Sequence, residues 1–100
     1  MKKEGNAKQI EYIKKEFNFS KRALEIAKKN LTKDKAKLEK AREFVEMAES
    51  YLSDSMYFFK QKDYLRAIAA IYYAHAWLDA GARLEFWKIK GKNKKYFSID

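Results

Sequence analysis

The chain has no cysteine and no proline, and only three glycines and one histidine among its 100 residues. Without cysteine it can form no disulfide framework, thiolate metal site or thiol nucleophile. The longest uncharged stretch, residues 67–78, is too short to cross a bilayer. The first 16 residues mix charged and isolated apolar side chains, which is not the pattern of a signal peptide. We therefore expect a cytoplasmic chain whose core is held by ordinary packing.

The composition indicates one folded domain with an excess of positive charge. Hydrophobic residues make up 47% of the chain and aromatic residues 16%, which is far too apolar for a disordered polar segment. The net charge is +9, and it is concentrated in the first 30 residues and after residue 87. Such a distribution favours acidic partners, of which nucleic acid is the obvious class.

Polar clusters at residues 30–34 and 60–63 divide the chain into three helical segments. The first segment, residues 6–30, keeps one apolar stripe at helical spacing. Asn18, a poor helix former, is its weakest point, but the stripe predicts one continuous helix. The second segment spans residues 33–60, with Thr32 as the expected N-cap. Residues of the first stripe are Ile10, Ile13, Phe17, Ser20, Leu24, Ala27 and Leu31.

The third segment begins after Asp63, a predicted N-cap, and its apolar pattern continues past Gly81. We interpret Gly81 as either a point of close packing or a mild bend, and Gly91 as the signal that follows the helix end. This predicts a helix over residues 63–89. The fold class is thus all-α, an antiparallel up-down-up three-helix bundle. It comprises one domain, residues 1–89, followed by a flexible basic tail, residues 90–100.

The third helix is apolar around nearly its whole circumference, which is more than a three-helix bundle can bury. The surplus requires a further covering surface, either a second copy of the chain, another protein or the folded-back tail. We expect an interaction module that forms a homo-oligomer or binds a protein partner through this helix. The candidate interface residues are Ile71, Tyr73, Trp77 and Leu78.

His75, Asp79 and Arg83 follow one another at four-residue spacing on the third helix. An antiparallel pairing of the last two helices would bring Tyr51 and Asp54 near Tyr72 to His75. The candidate polar cluster is therefore Tyr51, Asp54, Tyr73, His75 and Asp79. It is either a catalytic or ligand-binding site or a buried tether between helices. We favour the tether because one histidine without a second histidine or a cysteine is a poor metal or catalytic set, and we expect no cofactor, no metal and no enzyme activity.

The alternative function is binding to an RNA or DNA backbone through the lysines of the first helix and the basic tail, of which the tail is the better candidate. On the first helix glutamates alternate with the lysines, and the chain has only four arginines, so that face is more typical of a solvated surface. The candidate nucleic-acid contacts are Lys88, Lys90, Lys92, Lys94 and Lys95.

Three stretches carry a resemblance to a known family: residues 48–59, residues 62–68 and residues 73–80, which read Tyr-Ala-His-Ala-Trp-Leu-Asp-Ala. They resemble an archaeal domain of unknown function, family 357, which implies a small helical protein of archaeal origin but no reaction. Lys62 and Ala76 stand where the family pattern has glycine, so we expect a turn at Lys62 without positive φ. A more distant likeness is to the HEPN helical domains, but Arg66 lies too far ahead of His75 to form their ribonuclease motif.

Overall fold

The computed structural model describes residues 7–99 and consists of three long helices and one short one. These are α1 (Ala7–Lys29), α2 (Lys35–Lys60), α3 (Tyr64–Arg83) and a 3-10 helix (Gly91–Tyr96). Within residues 7–99 there is no β-strand, although Leu31 and Trp87 form an isolated antiparallel bridge. The three long helices pack against one another in a body of 53 × 25 × 19 Å. The all-α class is confirmed.

Helix α1 runs without interruption through Asn18, as its apolar stripe predicts. The stripe is what holds it, because the side chains that it buries come from that stripe and the positions beside it. Lysine and glutamate occupy most of the opposite face, which is exposed. The buried residues of α1 are Ile13, Ser20, Ala23, Leu24, Ile26 and Ala27.

Helix α2 begins two residues later than predicted, because Asp34 and not Thr32 caps it. The Asp34 carboxylate accepts a hydrogen bond from the backbone N–H of Ala36 at 2.9 Å, which satisfies one of the free donors of the first turn. The Thr32 hydroxyl instead accepts from the N–H of Asp34 at 3.0 Å. The prediction for α3 is confirmed, since the Asp63 carboxylate accepts from the N–H of Arg66 at 3.3 Å.

The turn between α2 and α3 passes through a left-handed residue that is not glycine. Lys62 has φ = 62°, so the expectation of a turn without positive φ is wrong. The N–H of Lys62 donates to the carbonyl of Phe59, and the N–H of Asp63 donates to that of Phe58. This pair of bonds is the Schellman arrangement, and it holds the left-handed residue against its steric cost of about 1 kcal/mol.

Helix α3 ends at Arg83 and not at residue 89, which corrects the prediction from the sequence. The same Schellman arrangement ends it: Glu85 has φ = 60°, and the N–H of Phe86 donates to the carbonyl of Gly81 at 2.8 Å. The chain then turns back, and the indole N–H of Trp87 donates to the carbonyl of Leu78 at 3.1 Å. Trp87 is buried against the helix that it has just left.

Gly81 is a point of close packing, one of the two interpretations that the sequence allows, and its contact is the ring of Trp87. A Cβ atom at this position would overlap three carbons of that ring. The ring fills the space beside Gly81, and alanines close the rest of the core tightly. The alanines with no exposed surface are Ala23, Ala27, Ala41, Ala48, Ala67 and Ala74.

The C-terminal segment, residues 91–99, is folded against the bundle and is not the flexible tail expected from the sequence. Its 3-10 helix contacts α1, and Phe97 is buried in the core. The cause is apolar: Tyr96, Phe97 and Ile99 join the hydrophobic core, while Lys92, Lys94 and Lys95, which precede them, stay exposed. The folded-back tail is one of the three covering surfaces expected for α3, and this segment provides part of that cover.

Candidate functional site

The single histidine lies where α1, α3 and the C-terminal segment meet. His75 Nε2 is 2.8 Å from the carbonyl oxygen of Tyr96, and His75 Nδ1 is 2.8 Å from the hydroxyl of Ser20. A carbonyl only accepts, so Nε2 carries the proton and donates to Tyr96. In the neutral ring Nδ1 is then the acceptor, and the Ser20 hydroxyl donates to it. Both ring nitrogens of His75 therefore hold protein groups together.

Asp79 and Arg83 continue this connection one and two turns further along α3. Asp79 Oδ1 accepts a hydrogen bond from the N–H of Ser98 at 3.0 Å and lies 3.5 Å from His75 Nε2. Arg83 Nε donates to the carbonyl of Ser98 at 3.2 Å. The row of His75, Asp79 and Arg83 expected from their spacing thus exists, and it binds the backbone of the C-terminal segment.

Aromatic rings enclose the His75 imidazole on the sides that the polar groups leave open. The ring of Phe19 is stacked on it, with 5.5 Å between centroids and 21° between planes. Phe97 approaches it at 6.4 Å, and Tyr96 packs on Phe19 at 5.0 Å. The side chain of His75 is only 17% exposed. This geometry favours the tether, because a general base or a metal ligand needs a free nitrogen facing a reactant.

The other members of the predicted polar cluster are not at His75. Asp54 is exposed on α2 and forms no hydrogen bond or ion pair with the imidazole among the described residues. Tyr51 packs on Tyr73, with 5.4 Å between ring centroids. The five candidates therefore divide into a histidine–aspartate pair, a tyrosine pair and a separate carboxylate.

The candidate interface residues of α3 also divide. Ile71 and Leu78 are buried in the core of this chain, so they are not available to a partner. Trp77 packs edge-on against Phe44 of α2 at 4.8 Å, which makes it mainly an internal contact. Tyr73 is 60% exposed and is the most solvent-accessible of the four, although one side of its ring packs on Tyr51.

A second pair of tyrosines links α1 to the exposed face of α3. The hydroxyls of Tyr12 and Tyr72 are hydrogen-bonded to each other. This hydrogen bond is the main cause that raises the pKa of Tyr72 to about 12, and desolvation and the nearby Glu16 carboxylate act in the same direction. Both side chains are about half exposed, so the pair lies on the surface between the two helices.

The five candidate nucleic-acid lysines lie after α3, and all of them are exposed. Lys92, Lys94 and Lys95 belong to the 3-10 helix, and the ammonium of Lys95 lies 5.3 Å from the ring centroid of Tyr96. Lys88 and Lys90 precede that helix. The N–H of Lys88 donates to the carbonyl of Asn30, in the connection between α1 and α2, and the carbonyl of Lys90 accepts from the N–H of Asn93.

Sequence reasoning missed the residues that complete the histidine connection: Ser20, Phe19 and the backbone of Tyr96 and Ser98. One signal was present, because Ser20 is a polar residue on the apolar stripe of α1 and is preceded by an aromatic residue at an exposed position. A buried hydroxyl on such a stripe indicates a polar partner on a neighbouring helix. Nothing in the sequence predicts that the backbone carbonyls of Tyr96 and Ser98 are the other partners.

The described residues define the protein as a small all-α domain of three long helices with a histidine-linked C-terminal segment. They contain no group of histidine and carboxylate side chains that could hold a metal ion. None of the helices among residues 7–99 has the length and apolar character needed to cross a membrane.

The sequence model of DUF357, described as a protein of unknown function, matches residues 17–87 of this chain. The match covers more than half of the chain, which therefore belongs to that family, as the resemblance of residues 48–80 implies. It includes all of α2 and α3 and the part of α1 that contains Ser20. No curated protein and no solved structure gives a significant match. The archaeal origin and the cytoplasmic location stay predictions.

Proposed function

We propose that this chain is a non-enzymatic interaction module that self-associates through the outward face of α3. The observation that carries the proposal is the exposure of apolar side chains along that helix: Leu65 is 80% exposed, Tyr73 60% and Tyr72 48%. Large apolar side chains gathered on one exposed helix face mark interaction surfaces in folded proteins.

The spacing of these residues supports a helix as the partner. Leu65, Ala69, Tyr72 and Ala76 are all exposed and follow one another at intervals of four, three and four residues. This interval keeps one straight seam on a helix, and alanine lets a second helix approach closely. The same seam on a second copy provides a matching surface, as a two-fold dimer requires.

The chemistry at His75 supports a binding role over catalysis. Both nitrogens of its ring are engaged by Ser20 and Tyr96, so the one imidazole of the chain has no free nitrogen. The proposal also takes α2 and α3 as an antiparallel hairpin within an up-down-up bundle, which the short connection between Lys60 and Tyr64 favours. In that arrangement the seam of α3 lies on the outer surface, with the hydroxyl of Tyr72 bonded to that of Tyr12 at its edge.

The test is the solution mass of the chain by light scattering, at low and high salt, with absorbance at 260 and 280 nm. Tyr73→Glu places a charge directly beside the seam, next to Tyr72, and Tyr57→Glu is the matched control, because Tyr57 is 61% exposed on α2 and also makes one ring contact. We expect a salt-stable dimer for the wild type and for Tyr57→Glu, and a monomer with unchanged helix content for Tyr73→Glu. A wild-type chain that stays monomeric at every concentration would refute self-association.

A second candidate function is binding to a nucleic-acid backbone through the lysines of residues 88–95. The supporting observation is that all five lysines are exposed in the part of the chain that follows α3, and among the described residues none of them forms a salt bridge. Affinity for RNA or DNA should fall steeply with salt, with a smaller slope after Lys92, Lys94 and Lys95 are replaced by glutamine. Material at 260 nm that is lost at high salt would support this function.

A further inference from the structure

A pocket of about 300 Å³ opens between α1 and α2, formed by residues that the His75 connection and the α3 seam do not use. Its walls are apolar side chains from both helices, and Ile71 of α3 also lines it. This volume is at the lower end of the range for small-molecule sites, which are usually concave and mostly apolar. The main wall residues are Ile13, Phe17, Met56 and Phe59.

The buried polar group of the pocket is already satisfied. Ser55 is almost completely buried, and its hydroxyl donates to the carbonyl of Leu52 at 2.6 Å. Asn18 is exposed, so its amide can be hydrated. Inside the pocket a ligand therefore contacts apolar side chains, and the buried Ser55 hydroxyl needs no hydrogen bond from it.

The charges of the pocket have one sign. Lys14 from α1 and Lys60 from α2 both line it, both are exposed, and no carboxylate is among the lining residues. In the part of the chain that the structure describes, neither ammonium group takes part in a salt bridge. An apolar interior with two cations of different helices at its edge is complementary to one kind of ligand, an anion with an apolar body.

We propose that this pocket binds a small amphipathic carboxylate, a fatty acid of medium chain length, with its hydrocarbon between Phe17 and Met56 and its carboxylate at Lys14 and Lys60. The small volume excludes a long acyl chain, and the apolar walls disfavour a nucleotide or a sugar phosphate, which need many polar partners. The proposal is independent of self-association through α3, because it uses a different surface.

The experiment titrates the full chain with decanoate below its micelle-forming concentration, followed by calorimetry and by nuclear magnetic resonance. 1-Decanol is the neutral control ligand of the same chain length. The variant Lys14→Gln/Lys60→Gln removes both cations of the pocket, and Lys15→Gln/Lys40→Gln removes two exposed lysines of the same helices that do not line it. All four positions are exposed, so both variants should keep the wild-type helix content.

We expect one decanoate per chain, with the resonance changes centred on Ile13, Phe17 and Met56. The affinity for decanoate should fall about three- to tenfold in the Lys14/Lys60 variant and stay unchanged in the Lys15/Lys40 variant. The affinity for 1-decanol should be the same in all three proteins. Met56→Trp, which fills the pocket from an exposed position, should abolish the binding of both ligands.

Three results would overturn the proposal. The first is the absence of decanoate binding to the wild type. The second is equal loss of affinity in the two lysine variants, which would make the attraction a property of net charge. The third is resonance changes on α3 outside the pocket, around Leu65 and Ala69, which would place the ligand on the proposed dimer seam instead.

Discussion

The two halves of α3 are covered to very different extents. Residues 74–83 are covered by the part of the chain that follows α3: Trp87 packs against Gly81, and the C-terminal segment binds His75 and Asp79. Residues 64–73 carry the exposed side chains of Leu65, Ala69, Tyr72 and Tyr73. Of these, Tyr72 is hydrogen-bonded to Tyr12 of α1, and Tyr73 packs on Tyr51 of α2. An apolar helix in a small domain can thus be covered by its own chain at one end and stay exposed at the other.

The largest effect is expected in the covered half of α3, residues 74–83, when the contact between Gly81 and Trp87 is disrupted. In Gly81→Ala the new methyl group overlaps the ring of buried Trp87, and we expect a loss of about 2–3 kcal/mol in the free energy of unfolding. Urea denaturation followed by circular dichroism measures it. Helix propensity alone predicts the opposite sign, a gain of about 1 kcal/mol, so a more stable variant would refute the packing of Trp87 on Gly81.

Gly91→Ala is the matched control for this substitution. Gly91 has φ = 57° and no heavy atom near the position of a Cβ, so only backbone strain opposes the change. We expect a loss of about 1 kcal/mol.

A smaller effect is expected from removing the polar connection in the same half. Ser20→Ala and His75→Gln each break at least one hydrogen bond of a largely buried group, and each should lower the free energy of unfolding by about 1–2 kcal/mol. The specific readout is hydrogen exchange at Phe97 and Ser98, which should become faster in both variants. Ser53→Ala, at an exposed position of α2, should change neither. Unchanged exchange in His75→Gln would show that the imidazole does not hold the segment.

The smallest effect is expected in the exposed half of α3, residues 64–73, at the hydrogen-bonded pair of Tyr12 and Tyr72. Tyr12→Phe removes the main cause of the raised pKa of Tyr72, which should fall from about 12 towards the ordinary value of 10. Because the folded-state pKa is the higher one, this interaction stabilises the fold fully below pH 10 and is lost as the pH rises from 10 to 12. Titration of tyrosine absorbance measures the shift, with Tyr57→Phe as control. A late-titrating tyrosine that persists in Tyr12→Phe would contradict the assignment.

The regular parts of the fold were predictable because their signals are local. The apolar stripe of α1 predicts an unbroken helix through Asn18, and Asp63 caps α3 as expected. The end of α3 was not predictable from the sequence. The left-handed residue there is Glu85, whereas the usual sequence marker for such a position is glycine.

The candidate site was predictable only along one helix. The spacing of His75, Asp79 and Arg83 correctly places them in a row that meets one segment. The partner of that row was not predictable, because it is the backbone of residues 96–98 and the hydroxyl of Ser20, contacts that depend on how distant elements are oriented. The expected approach of Asp54 to His75 required an interhelical register that no local pattern specifies.

The imidazole of His75 also has a consequence for the order in which the molecule assembles. It joins residues 55 positions earlier and 21 positions later in the chain, so both contacts require loops to close before they can form. The α2–α3 pair, by contrast, needs only the short turn at Lys62 and contains the most extensive helix contact. We expect this hairpin to form first and the histidine contacts to close last, so that in pulse-labelling hydrogen exchange during refolding the amides of α2 gain protection before Phe97. The hydrogen bonds of His75 would then form after the helices have packed, and would fix the C-terminal segment on an already folded bundle.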